Sequence, residues 1–188
     1  MSKFFDFMTT SLNGLYQIER KQINDQRGFF SRLFCADEFK EIGFFKPFVQ
    51  VNHSMTKKKG AVRGMHFQYP PYTESKVVTC ISGEVLDIVV DIRNNSKTYL
   101  QWHSAVLSDK NLRSFYIPEG FAHGFQALTE DCQLLYLHSE FYSSTAEAVI
   151  NPLDPMLSIQ WPSQISEISE KDGNQPMLDN TFIGLDIS

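Results

Sequence analysis

Hydrophobic and polar positions alternate over short stretches of this chain, the period-two pattern of strands with two unlike faces. The clearest stretch is KVVTCISGEVLDIVVDIR, residues 76–93. It predicts a strand, a turn at Ser82-Gly83 and a second strand. In the second strand Leu86, Ile88, Val90 and Ile92 share one face, and Val85, Asp87, Val89 and Asp91 share the other. One uniformly apolar face and one that carries carboxylates suit a barrel or sandwich strand. Clusters of aromatic and β-branched residues predict further strands at 15–20, 29–35, 48–54, 102–107, 114–117 and 133–139. Residues 36–42 predict a helix, with Asp37 as its cap and Gly43 as its end. The polar tail after Pro162 predicts a short helix. Many short strands at near-regular spacing, without repeat or linker, predict an all-β barrel or jelly roll in a single domain over 1–188.

Composition narrows the function classes. Hydrophobic residues make up 42% and charged residues 21% of 188, an ordinary globular mix that excludes wholesale disorder. The formal net charge of −5 gives no broad electrostatic footprint for nucleic acid or an anionic membrane, though one anion can still bind in a local basic pocket. The three cysteines Cys35, Cys80 and Cys132 form no CxxC or zinc spacing, and we expect reduced thiols in the core or half-buried. The first twenty residues lack the basic-then-apolar order of a signal peptide, and no apolar run approaches the roughly 20 residues of a membrane span. The expectation is a soluble, cytoplasmic protein.

Chemistry-bearing residues come in several groups. Asp25-Gln26-Arg27-Gly28 is a turn before Phe29-Phe30. Gln50 and Asn52 fall on one strand face. Arg63 and His66 lie three residues apart beside Gly64, and Lys76 opens the next strand. Pro118-Glu119-Gly120-Phe121-Ala122-His123-Gly124-Phe125 reads as a corner carrying a histidine. Tyr136 and Tyr142 bracket YLHSEFY, with Glu147 just beyond. Read singly, each has an ordinary structural role, and Tyr136 fits a core tyrosine. His53, His103 and His138 read as surface or hydrogen-bonded structural residues. A metal-binding cupin needs a His-x-His pair, but Phe67 and Gln68 follow His66, which leaves only His66 and His123; we expect no metal. No nucleophile elbow and no Gly-rich phosphate loop is present. The remaining set of Arg, Lys, His, amides and tyrosines suits an anionic ligand and proton transfer without a cofactor.

Taken together and in order, these motifs resemble the dTDP-4-dehydrorhamnose 3,5-epimerase family. The resemblance runs from about Gly14 to Pro176. It rests on Asp25-x-Arg27-Gly28, Gln50-Val51-Asn52-x-Ser54, Arg63-Gly64-Met65-His66-Phe67-Gln68, Pro70-Pro71, Lys76 and Gly83-Glu84-Val85-x-Asp87. It continues through Val90-Asp91-Ile92-Arg93, Pro118 to Phe125, Tyr136, Tyr142, Glu147, Asp154-Pro155, Ile159-x-Trp161-Pro162 and Ser169-Glu170-Lys171-Asp172. It implies a double-stranded β-helix, the cupin jelly roll, with a few short peripheral helices, in a homodimer that shares strands across its interface. It implies an isomerase that inverts C3, C5 or both in a nucleotide-linked 4-keto-6-deoxyhexose, in deoxysugar or surface-polysaccharide synthesis.

The implied roles are His66 as base, Asp172 as its hydrogen-bonding partner, Tyr136 as acid and Lys76 at the C4 oxygen. Arg63, Gln50, Asn52, His123, Glu147 and Lys171 would line the substrate site. Arg27 would meet the nucleotide diphosphate, and Phe30 and Tyr142 would sandwich the base. The chain departs from the family's pattern at Arg32, where a Glu is frequent, and at Glu74-Ser75, where Gln-Ala is more usual. Arg32 leaves dTDP and CDP carriers both open. A cupin ketoisomerase and a non-catalytic sugar-binding cupin are the alternatives. The first usually uses other proton carriers, and the second is expected to lose His66, Tyr136 or Lys76.

Overall fold

The computed structural model describes residues 3–187. In chain order the strands begin with β1 (Phe5–Thr9), β2 (Tyr16–Arg20), β3 (Gln22–Asp25) and β4 (Gly28–Ser31), followed by the short helix α1 (Ala36–Phe39). Then come β5 (Gln50–Thr56), β6 (Ala61–Gln68), β7 (Lys76–Ser82), β8 (Glu84–Asp91) and β9 (Trp102–Ser108). The chain continues through β10 (Arg113–Ile117), β11 (Phe121–Ala127), β12 (Cys132–His138), β13 (Glu147–Val149) and β14 (Glu167–Ile168), and α2 (Glu170–Gly173) follows.

Two sheets carry the fold. The first has the order β1-β2-β10-β7-β12-β5, the second β13-β6-β11-β8-β9 with β14 added on β6, and β3 and β4 form a separate hairpin. Every pairing of consecutive strands within the two orders is antiparallel. This is the cupin jelly roll that the sequence resemblance implies. The inner faces meet in one core: Val78, Phe115, Ile117 and Leu134 from the first sheet pack with Val85, Val89, Leu107, Phe121 and Phe125 from the second. Each such side chain contributes about 1.5–3 kcal/mol when fully buried. Outer faces are covered too. Phe39, beside the first sheet, packs with Phe5, Phe44 and Tyr116. Met65, Ile88, Val90 and Ile150 pack under Trp102 and Trp161 outside the second.

The strands expected at 15–20, 48–54, 76–82, 102–107, 114–117 and 133–139 are present, shifted by no more than two residues. The turn at Ser82-Gly83 does not close a hairpin. It carries the chain from β7 in the first sheet to β8 in the second. β8 buries both faces: Ile88 and Val90 outward, Val85 and Val89 inward, with Asp87 fully buried on the inner face.

Three expectations change. The strand read at 29–35 ends at Ser31, because β4 pairs only with β3 in an exposed hairpin. The helix at 36–42 is one turn of α-helix continued by a 3₁₀ turn at Lys40–Ile42, stopped by Gly43 at φ 80°. Its N-cap is Cys35 rather than Asp37, which lies in the first turn and pairs with Lys40 at 2.8 Å. The segment PEGFAHGF is a corner only at its start. Phe121–Ala127 is a wholly buried central strand. Gly124 there abuts β6, where a Cβ would lie 2.6 Å from the Arg63 carbonyl oxygen, so its glycine serves close strand approach rather than a turn. The tail carries its short helix at α2, capped by Ser169, whose hydroxyl accepts from the Asp172 N–H. All three cysteines are free, with Cys80 and Cys132 buried and Cys35 half-buried.

Candidate active site

Strand alternation places the site. On β12, Tyr136 and His138 share a face; on β5, Gln50, Asn52 and Ser54 do. The register sets Tyr136 opposite Asn52 and His138 opposite Gln50, with His138 also opposite Lys76 of β7. In the second sheet His66 on β6 pairs with His123 on β11. These side chains surround one cavity of ≈ 270 Å³, closed further by Arg63, Glu74, Tyr142 and Glu147. The rings of His123 and Tyr136, from opposite sheets, lie 6.3 Å apart.

His66 is partly open to solvent and its Nε2 lies 2.9 Å from Asp172 Oδ1. Asp172 sits on α2, is 3% exposed, and also accepts the Gly64 N–H at 3.2 Å. Burial works to raise its carboxyl, but the bonds from His66 and Gly64 outweigh that and hold it below the usual range. An ionised Asp172 selects the Nε2–H tautomer of His66 and leaves Nδ1 as the basic nitrogen.

Tyr136 is placed to remain protonated. Burial pushes its phenol well above the ordinary value, against the pull of a 3.1 Å hydrogen bond with Ser54. Lys76 is 5% exposed and its ammonium lies 2.8 Å from Glu74. Burial opposes the Glu74 charge, yet Lys76 and His138 together bring its carboxyl down to about 2. His123 is held by the buried Asp87 at 2.9 Å. Burial pushes Asp87 up, against the pull of His123. At the mouth, Glu147 accepts from Tyr142 Oη at 2.9 Å and pairs with Lys171 at 2.6 Å. Among the described residues no cluster of three or more His, Cys, Asp or Glu side chains is arranged to hold a metal ion.

Of the residues singled out in the sequence, Gln50, Asn52, Arg63, His66, Lys76, His123, Tyr136, Tyr142 and Glu147 line this cavity. Asp172 lies behind His66, and Lys171 joins through Glu147. Arg27 and Phe30 do not join: they belong to the β3–β4 hairpin, where Arg27 pairs with Asp25 and Phe30 is 59% exposed. Arg32 also stays away. Its guanidinium lies 4.2 Å from the Phe4 ring centroid and bonds Glu38 at 3.0 Å. Sequence reasoning gave no site role to Ser54, Glu74 or His138, and read His138 as structural, yet all three line the cavity. The strand period would have found two of them, since Ser54 follows Asn52 and His138 follows Tyr136 at the same two-residue step.

Comparison with known proteins identifies the family. The family model described as dTDP-4-dehydrorhamnose 3,5-epimerase matches residues 9–180. A dTDP-4-dehydrorhamnose 3,5-epimerase of Methanothermobacter thermautotrophicus is 43% identical over 180 residues, covering 94% of this chain and 96% of its own. The crystal structure of a Legionella pneumophila dTDP-6-deoxy-D-glucose-3,5-epimerase in complex with dTDP-4-keto-L-rhamnose superposes with a TM-score of 0.91 at 37% identity, covering 98% of this chain and 99% of that one. A 3′-monoepimerase from Streptomyces bikiniensis, in complex with dTDP-quinovose, gives 0.83 at 33% identity over 89% of this chain and 85% of that one. With the His66–Asp172 pair, Lys76 and Tyr136 gathered at one cavity of a jelly roll, and with the family model spanning residues 9–180, the chain belongs to the dTDP-4-dehydrorhamnose 3,5-epimerase family.

Proposed function

We propose that this protein is an isomerase that epimerises a dTDP-linked 4-keto-6-deoxyhexose at C3, C5 or both, in the cytoplasmic synthesis of a deoxysugar. One observation carries the reading: His66 and Tyr136 reach the same cavity from opposite sheets, one set up to take a proton and the other to give one. C3 and C5 both flank the C4 ketone. His66 removes the proton from one of these carbons, and the electron pair moves through the new C=C bond onto the C4 oxygen. The Lys76 ammonium stabilises that enolate oxygen. Tyr136 then gives its proton to the same carbon from the other face, the carbonyl re-forms, and His66 restores Tyr136 through solvent. An imidazole with a near-neutral ordinary pKa suits the base role. The family relationship supports a dTDP carrier. Both 3,5-epimerases and a 3′-monoepimerase resemble the chain, so the number of centres inverted is left to experiment.

The protein acts as a homodimer in this reading. Arg27, Phe29 and Phe30 lie on an exposed hairpin away from their own cavity, and the edge strand β5 beside the cavity exposes Val51 and Met55. A hairpin from a second copy laid along β5 covers those apolar side chains and brings Arg27 to the diphosphate and Phe30 to the base opposite Tyr142. No described helix is long and apolar enough to cross a membrane.

The test is proton exchange by NMR in deuterated water with dTDP-4-keto-6-deoxyglucose and, separately, its CDP analogue. Loss of the C3 and C5 signals with a new product supports 3,5-epimerisation, and loss at one carbon supports mono-epimerisation. Exchange with neither carrier refutes the reading.

A further inference from the structure

Glu74 and His138 are among the polar side chains of the cavity that take no part in the reaction above. Each side chain is 11% exposed, and His138 Nδ1 lies 2.6 Å from Glu74 Oε2. They are the middle of a continuous hydrogen-bonded chain along the wall made by β5, β12 and β7. The Tyr142 backbone N–H donates to Gln50 Oε1 at 3.1 Å. Gln50 Nε2 donates to Asn52 Oδ1 at 3.2 Å. Asn52 Nδ2 lies 3.3 Å from His138 Nε2, and Lys76 Nζ lies 2.8 Å from Glu74 Oε1.

The direction of every link follows from the two ends. A backbone N–H can only donate, so Gln50 presents its oxygen to Tyr142 and its nitrogen to Asn52. Asn52 therefore spends its oxygen on Gln50 and donates its N–H to His138 Nε2. That nitrogen must carry a lone pair, so the His138 proton is on Nδ1 and is donated to Glu74. At the other end an ammonium can only donate, so Lys76 also donates to Glu74. Both directions converge on one carboxylate, the only acceptor type able to take a hydrogen bond on each oxygen without offering one back. With the links made, each amide nitrogen keeps one N–H and Lys76 keeps two of its three for the cavity.

We propose that Glu74 and His138 are positioning residues: Glu74, as shared acceptor, anchors the Lys76 ammonium and, through His138, sets the amide orientation of Asn52 and Gln50. The wall thereby turns N–H groups toward the oxygens of an oxygen-rich, anionic ligand. This assignment rests on the cavity being the epimerase site proposed above.

The variant Glu74→Gln keeps the shape but replaces one accepting oxygen by an NH₂ group, so one of the two donors faces another donor. We expect kcat for C3 and C5 exchange to fall roughly ten- to a hundredfold, the scale on which lost orienting groups act, while KM moves roughly threefold at most. Glu74→Asp, which keeps both accepting oxygens on a shorter stem, recovers part of the loss. Thermal melting and dTDP binding check that each variant is folded. The second measurement needs neither variant nor substrate: histidine ¹⁵N NMR of the wild-type protein, with His138 assigned by comparison with His138→Gln, shows the Nδ1–H tautomer. Full kcat in folded Glu74→Gln, or His138 found as the Nε2–H tautomer, overturns the proposal. A wild type that exchanges no protons counts against the epimerase reading instead, and the tautomer measurement still decides for or against the wall.

Discussion

Replacing Asp172 by Asn changes almost no volume and reverses one hydrogen bond. The carboxylate accepts from His66 Nε2 at 2.9 Å and from the Gly64 N–H at 3.2 Å. An amide can satisfy only one of these as acceptor. The Gly64 N–H is fixed in the backbone and buried, so the amide oxygen stays with it, and the NH₂ group faces His66 Nε2. A donor there forces the lone pair onto Nε2 and the proton onto Nδ1, the nitrogen that has to be basic. Where an amide replaces the carboxylate that orients a catalytic imidazole, the tautomer error costs on the order of 10⁴ in turnover. That factor corresponds to about 5.5 kcal/mol of transition-state stabilisation. Asp172→Ala tests the other half. It removes the orienting group without installing a donor, and leaves the Gly64 N–H unpaired at a cost of about 1–3 kcal/mol in stability. The assay is C3 and C5 exchange in deuterated water, with urea unfolding alongside. Folded Asp172→Asn that keeps turnover within tenfold of wild type refutes the tautomer argument. A loss explained entirely by unfolding refutes it as well.

Other substitutions separate the remaining roles. Tyr136→Phe removes the proposed proton donor and leaves His66 and Lys76 in place, so completed inversion, measured as new product, falls further than exchange at the same carbon; equal losses remove Tyr136 as the acid. The Glu74 carboxyl is held at about 2 in the folded protein against an ordinary 4.5. A depressed carboxyl contributes its stability above the unfolded value and loses it as pH falls through the folded one. The stability gap between wild type and Glu74→Gln therefore closes by about 3 kcal/mol from pH 4.5 to 2, and a constant gap across that window contradicts the ion pair. Mixing the inactive variants Arg27→Ala and His66→Asn, with subunit exchange, gives hybrid dimers in which one cavity carries both defects and the other neither. Recovery to about half the wild-type turnover per hybrid supports the shared hairpin; no recovery places Arg27 outside the partner's cavity.

What the sequence made legible follows from how local each signal is. The β7–β8 stretch announces itself because it is rich in β-branched residues and β8 sets a uniformly apolar face against one that carries carboxylates, and Asp87 on that mixed face is where a carboxylate must be to hold His123. β11 was hidden because a strand buried on both faces shows no alternation, and its glycines look like turn residues until the β6 backbone is seen lying against Gly124. Asp172 was named from a motif at the far end of the chain. No spacing rule joins it to His66, 106 positions away; only the return of the tail to place α2 behind β6 does so.

The split between the residues that gather and those that do not has a physical reading of its own. Proton transfer needs short, fixed distances, and the residues proposed to carry it sit on the inner strands, β6, β7 and β12, whose partners on both sides hold them in register. The long nucleotide needs reach rather than rigidity. The residues the motif assigns to it are on a two-stranded hairpin whose apolar side chains are only partly covered in a single chain: Ile23, Phe29 and Phe30 are each more than half exposed. An isolated hairpin of this kind is marginal in water, and docking it on a second copy buries apolar surface on both partners. On this account the Glu74–His138 link is what joins the two regions. It runs from Lys76, proposed to face the reacting carbonyl, through Asn52 and Gln50 on β5, to the Tyr142 backbone at the mouth where the base is proposed to stack. Binding at the mouth that shifts Tyr142 would therefore be felt at Lys76 through five hydrogen bonds. A nucleotide-free sugar, which leaves that end untouched, is expected to lose kcat as well as affinity.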